Sequence, residues 1–465
     1  MNGTGGIDDR LARALGRAWI DDHPWELVTR LAELSGRMGG STGERRAATI
    51  VHETFRDVGL ANVRVDEFSI PRWERFNTEF EVFGGESTSS GVGSYGDRRI
   101  DRSFDAVALP YSPAGEIEGR LVDVGYGTPG EIEEADLRGN VAVASTTTPP
   151  AKRFVHRMET FGHVVTAGAA GFVFGNHRPG QLPPTGALRF DGEASIPGVG
   201  VSAETHSWLI EYAERGVDAR LRVDAETREG TSRNVSGTLG PDTDDEVVVV
   251  AHYDAHDLGE GALDNGCGIA TVGGAARILA EIEPILERRV RIVAVGSEEI
   301  GLLGAEELAD ELALESVRAA INVDGAGRFR NLQAISHGSD ALGRLACRVS
   351  SDAGQPIVFD GDPHPFSDHW PFLREGVPTL QLYSEPPDGG ERGRGWGHTA
   401  ADTRDKVDPR NLRTHAMLTA LLVVELTKTD VPRIDGSELR ERLRQQRYEP
   451  GMRAAGIWPP SWGER

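Results

Sequence analysis

In the second half of the chain, unbroken apolar runs alternate with apolar residues at helical spacing. "EVVVVAH" carries no polar break before its histidine, the pattern of a strand covered on both faces. "GIATVGGAARILAEI" then returns its apolar residues every three or four positions, as a helix does. The alternation continues through "RRVRIVAVGSEE", "GLLGAEELADEL", "RAAINVDGAG", "ALGRLACRVSSDAG", "VPTLQLY" and "DPRNLRTHAMLTALLVVELTK". Strands that alternate with helices predict an α/β domain, with a mainly parallel mixed sheet between two helical layers. In such sheets ligands bind beyond the carboxyl ends of the strands.

The first half reads differently. "DHPWELVTRLAELSGR" and "GERRAATIVHETFRDVGL" are helical in period, and "NVRVDEFSI" alternates as a strand does. From about 104 to 229 short β-like runs ("GRLVDVGYG", "NVAVAST", "AGFVFGN", "PGVGVS") sit between Gly/Pro turns, with one helix-like stretch, "METFGHVVTAGAA". This texture predicts a small β-rich domain, 104–229, inserted into a larger one made of 1–103 and 230–430. The tail 431–465 reads as a charged helix and a Trp/Pro segment with no assigned role.

Charge narrows the choice of partners. The 465 residues carry 73 Asp and Glu against 50 Lys and Arg, a net charge of −23, and only Lys152, Lys406 and Lys428 are lysine. Such a surface repels nucleic acid and anionic lipid, so neither is an expected partner. Acidity with scarce lysine also fits adaptation to high salt, a halophilic trait, in preference to simple genome bias. Cys267 and Cys347 exclude a disulfide framework and a zinc-thiolate site. The N-terminus has no basic start and no apolar segment, and "AMLTALLVVEL" is too short to span a bilayer. The expectation is a soluble cytoplasmic protein, with the oligomeric state open and a homodimer among the options.

The chemistry gathers at the strand ends. His252 and Asp254 leave the first strand two residues apart and so point to one side, as a metal-binding imidazole and its orienting carboxylate would. Asp264 opens a helix through "DNGCG"; alone it reads as an N-cap. Glu298 and Glu299 end the next strand, Asp324 a third, and His398 lies in the loop "GWGHTAADTRDKVD". Taken singly, each has a bland reading. Together, His252, Asp264, Glu299, Asp324 and His398 supply one shared and four terminal ligands for two cations, and zinc suits the imidazole and carboxylate mixture.

The order of "HYD", "GALDNGCG", "SEEIGLLGA", "NVDGAG", "FSDHWPFLREGVPTLQL" and "GHTAADTRDKVD" resembles the co-catalytic di-zinc aminopeptidase family, whose relatives include glutamate carboxypeptidases and glutaminyl cyclases. "LSGRMGGSTGERRAATIVHETFRDVGL" resembles it too, and the insert resembles a protease-associated domain. The resemblance implies a three-layer αβα zinc-peptidase fold and a metallopeptidase that binds two zinc ions and cleaves peptide substrates. Asp264 would be shared by both ions, with His252 and Asp324 completing one and Glu299 and His398 the other. Glu298 would be the general base, and Asp254 would orient His252. A cis bond is expected between Asp264 and Asn265.

The resemblance leaves open a carboxypeptidase or dipeptidase on the same scaffold. Glutaminyl cyclase is disfavoured because such relatives lack the insert and use one zinc, and a non-catalytic binding protein because all six residues are kept. Many relatives have a tyrosine just before the last histidine, where this chain has Trp396-Gly397, which puts the oxyanion donor in doubt. Cys267 stands in place of a serine and reads as a buried thiol. His256 and Asp257 are equally pocket-lining or solvent-facing. Asp368 and His369 are expected beneath the site, Asn265 beside it, and Trp370, Phe372 and Trp396 as pocket wall or core. Specificity is expected from loop 384–397 and the insert.

Overall fold

The computed structural model describes residues 9–84, 100–150, 152–190, 192–385 and 395–463. Its strands are β1 (Ala61–Gly84), β2 (Ile100–Phe104), β3 (Ala106–Ala108), β4 (Gly115–Asp123), β5 (Val141–Ser145), β6 (Gly171–Gly175), β7 (Gly198–Val201) and β8 (Val217–Leu239). They continue as β9 (Glu246–His252), β10 (Arg289–Val295), β11 (Val317–Val323), β12 (Asn331–Ile335), β13 (Ile357–Asp360) and β14 (Thr379–Glu385). The chain divides into two compact units, one of Met1–Ile70, Gly230–Gly390 and Asp402–Leu443, the other of Pro71–Glu229, Glu391–Ala401 and Arg444–Arg465. Strands β1 and β8 contribute residues to both. That continuity is why residues 71–84 and 100–103, expected with the larger domain, cluster with the second unit: β2 pairs with the far end of β1.

In the first unit β9 is central, parallel to β10 on one side and β11 on the other. Strand β14 follows parallel to β11, β12 runs antiparallel to β14, and β13 parallel to β12. The sheet is therefore mixed. Both faces are dry: Val247, Val249 and Ala251 join one apolar cluster, and Val248 and Val250 join another with Leu308 and Phe372. Each fully buried valine contributes about 1.5–3 kcal/mol, so an unbroken apolar run is what this position selects. The helices Cys267–Glu281 and Pro409–Lys428 belong to the first face. Among the described residues no helix is long and apolar enough to cross a membrane.

The second unit is built on parallel β4, β5, β6 and β7, with β3 antiparallel to β7 and residues 218–223 of β8 antiparallel to β4. It holds more helix than its β-like texture suggests: Pro129–Glu134, Arg157–Thr166 and Ala203–Glu214. Parallel strands need crossovers, and these helices provide them. The tail is divided: residues up to Leu443 cluster with the first unit, and Arg444–Arg465 belong here. Helix Tyr448–Ala455 packs so closely on Arg157–Thr166 that a Cβ on Gly162 would strike the carbonyl of Ala454.

Candidate metal centre

His252 is the last residue of β9, in register with Val295 of β10, and it is fully buried. Asp254, also fully buried, brings a carboxylate oxygen to 3.4 Å from His252 Nδ1. Asp254 does more than face the imidazole. Its two oxygens accept the backbone N–H groups of Glu298 (3.1 Å) and Glu299 (3.2 Å), so it also fixes the turn after β10. That turn begins at Ser297, held at φ 58.

The chain then loops back to Asp264. His252 Nε2 lies 3.3 Å from one Asp264 oxygen and 3.9 Å from one Asp324 oxygen. The Asp264–Asn265 bond is cis, as expected. The Asn265 side chain makes three hydrogen bonds: its nitrogen donates to Val323 O at 2.8 Å, and its oxygen accepts Gly268 N and Gly325 N at 3.0 Å each. It thereby ties the residue after Asp264 to those on either side of Asp324. Asp324 accepts a hydrogen bond from Ser367 Oγ at 2.7 Å, and Ser367 accepts from Asn322 Nδ2 at 2.7 Å.

Electrostatically the cluster calls for a cation. Burial alone would lower the His252 pKa, yet Glu298, Asp254 and Asp264 hold it well above its usual value. Burial, joined by Asp368, Glu299 and Asp324, raises Glu298 well above the usual carboxylate range even against the pull of His252. Asp368 is fully buried and likewise raised by burial, and neither of its oxygens has a hydrogen-bond partner among the described residues. Both ring nitrogens of His252 also lack a hydrogen bond there. A buried imidazole facing two carboxylates without a hydrogen bond is a donor set that fits zinc.

His256 was not singled out as a ligand by sequence, and the structure buries it with Nε2 at 2.9 Å from Glu299. Asp257, its neighbour, is exposed. Asp368 and His369 part company: the His369 ring stacks on His337, centroids 4.1 Å apart, and its Nε2 lies 2.5 Å from His364 O. Burial drops its pKa to about 3, so it is neutral. Trp370 and Phe372 are core. Cys267 is buried with Sγ 3.0 Å from Leu263 O, and burial pushes its thiol well up, away from nucleophilic character.

His398 and Trp396 belong to the second unit. There His398, at φ 61, sits with Nδ1 3.1 Å from Thr185 O, while its own carbonyl accepts Thr185 N at 2.8 Å. Trp396 is partly exposed, with the Arg178 guanidinium 6.0 Å from its ring centre. Residues 386–394 of the expected specificity loop lie outside the described residues.

Residues 234–423 match the family model described as Peptidase family M28, and residues 117–209 match the PA domain. Aminopeptidase YwaD of Bacillus subtilis is 26% identical over 420 residues, covering 88% of this chain and 85% of its own. Carboxypeptidase Q of Mus musculus is 24% identical over 414 residues, covering 85% of this chain and 83% of its own. The solved structure of BSAP, a zinc aminopeptidase from Bacillus subtilis, aligns with a TM-score of 0.66 at 24% identity, over 87% of this chain and 94% of that one, a likeness of fold.

Proposed function

Because this chain belongs to peptidase family M28 through residues 234–423, with a PA domain inserted before them, we propose that it is a zinc-dependent exopeptidase acting at the amino end of peptides. The observation that carries this reading is the cluster of His252, Asp264 and Asp324 near the carboxyl ends of parallel strands, where the buried imidazole has no hydrogen bond among the described residues. These three residues would hold one zinc ion. Motif order assigns Glu299 and His398, with Asp264 shared, to a second. Bound zinc would supply a Lewis acid for the scissile carbonyl and lower the pKa of water.

The chain's own residues do the rest. Glu298 takes the proton of the attacking water and delivers it to the leaving amine. Asp254 keeps the Glu298 backbone in place through the Glu298 and Glu299 amides while facing His252. Trp396-Gly397 stands where many relatives have a tyrosine, so no tyrosine hydroxyl is present there to serve as an oxyanion donor.

A carboxypeptidase or dipeptidase is the second reading, favoured by the similarity to carboxypeptidase Q. Turnover of aminoacyl anilides against N-blocked dipeptides with a free carboxyl end separates the two. Cleavage of only the latter overturns the aminopeptidase assignment. The acidic, lysine-poor composition supports salt adaptation as well. The same panel run at low and high salt checks it, and full, lasting activity in dilute buffer would dismiss that trait.

A further inference from the structure

The segment "LSGRMGGSTGE" contains none of the residues assigned to catalysis, yet Arg37 within it is almost completely buried, at 2% exposure. Its guanidinium donates to four backbone carbonyls. Nε reaches Tyr253 O at 3.0 Å, Nη1 reaches Leu31 O at 3.0 Å and Glu260 O at 2.6 Å, and Nη2 reaches Gly261 O at 2.8 Å. Three of these lie on the loop between His252 and Asp264. The Arg37 carbonyl in turn accepts Ala255 N at 3.2 Å. Gly261 sits at φ 58, and a Cβ there would strike the Ala255 side chain and approach Arg37 Nη2 to 2.8 Å, so the loop lies flat on the guanidinium.

Asp402 serves the other polarity of the same loop. It is 3% exposed, and its carboxylate accepts Leu263 N at 2.7 Å and Asp264 N at 3.1 Å. Its backbone carbonyl accepts Glu260 N at 2.8 Å. Carbonyls of the loop thus go to a buried cation, and amides beside Asp264 to a buried anion. Burial works against the Arg37 charge, and the carboxylates of Asp402, Asp254, Glu299 and Asp264 oppose that. Neutral hydrogen-bonding groups could satisfy the same backbone. The Arg37 charge, buried beside the carboxylate cluster, also offsets part of the cluster's repulsion when no metal is present.

We propose that Arg37 and Asp402 are positioning residues that set the 253–264 loop in its ligand-presenting form before a cation arrives. The proposal rests on the zinc-peptidase reading above for the identity of the cation, but not for the shape of the loop. Outer partners of this kind are worth about 10–100-fold in metal affinity. Asp402→Asn keeps the side chain's size and removes its charge, and Arg37→Lys keeps charge while losing most of the fork of donors.

The test is competition of the metal-free chain and its variants with a zinc-responsive chelator, together with amide hydrogen exchange of the metal-free proteins. Each folded variant is expected to bind zinc about 10–100-fold more weakly. Leu263 and Asp264 amides should exchange at least about tenfold faster in Asp402→Asn, while amides within β9 stay protected. Zinc affinity within twofold of the parent chain in a folded variant overturns the proposal. A variant that fails to fold leaves the parent chain to decide: Leu263 and Asp264 amides exchanging at open-loop rates without metal overturn it as well, and protected amides support it. If the parent chain takes up no zinc while those amides are protected, the enzyme reading falls and the loop-setting role stands.

Discussion

Glu159 and Asp368 are both buried acids, one in each unit, and their surroundings differ in kind. Glu159 is met by Arg153 through both oxygens and also accepts His156 N, capping its own helix. Its charge is balanced on the spot. Asp368 has no hydrogen-bond partner among the described residues; His252 is the largest charge acting on it and opposes its own, while Asp254, Asp324 and Glu299 share its sign. The first arrangement is complete as protein. The second is complete only with added positive charge. Burial of an acid alone therefore says little, and the charge balance around it separates a structural pair from a cation site.

The comparison breaks most sharply at Asp264. Asp264→Ala should lose zinc and reduce turnover to the uncatalysed background, as metal analysis and a peptidase assay would report. Retained zinc with full turnover would contradict the cluster. Next comes Glu298→Gln, which should keep its zinc yet lower kcat by about 10²–10⁴-fold, the range for a lost general base. Normal turnover in that variant removes the base assignment.

Stability effects follow. Glu159→Gln, which removes the charge facing Arg153, should cost about 1–3 kcal/mol in urea unfolding and leave zinc content unchanged. A loss of zinc there would mean that the two buried acids are not different in kind. Glu44 sharpens the contrast further. Burial, then the charge of Asp254, raise its pKa to about 8 against hydrogen bonds from Ser232, Gly40 and Ser297. A carboxyl that stays protonated when folded but ionises near 4.5 when unfolded makes stability fall as pH rises between those values. Glu44→Gln should flatten that part of the pH profile, by up to about 1.4 kcal/mol per pH unit. Parallel profiles for the two proteins would contradict it.

Much of this centre is legible in the sequence, for a local reason. His252, Glu298, Glu299 and Asp324 each follow or end an apolar run, where a polar group is conspicuous, whereas Asp254 lies beyond β9, which ends at His252. Distant partners leave no such local mark. Arg37 meets Tyr253 and Gly261 across 216 and 224 residues, and nothing near "SGRMGG" announces those carbonyls. His256 sits in an irregular loop without a period to show which way it faces. Its burial against Glu299 depends on how that loop folds back. His369 follows Asp368 in sequence but turns to His337, because adjacent side chains on a turn point different ways. Of the second unit's helices only Arg157–Thr166 shows, as the helix-like stretch "METFGHVVTAGAA"; Pro129–Glu134 and Ala203–Glu214 hide among short Gly- and Pro-punctuated runs. The tail's place depends on a close approach at Gly162 and Gly451, which only the folded packing displays.

Calorimetric titration of the metal-free chain with zinc tests the central claim most directly. Two equivalents bound by the parent chain, and none retained tightly by a variant lacking both His252 and Asp264, is the predicted result. A parent chain that takes up no zinc, or a variant that binds it as the parent does, would contradict the account.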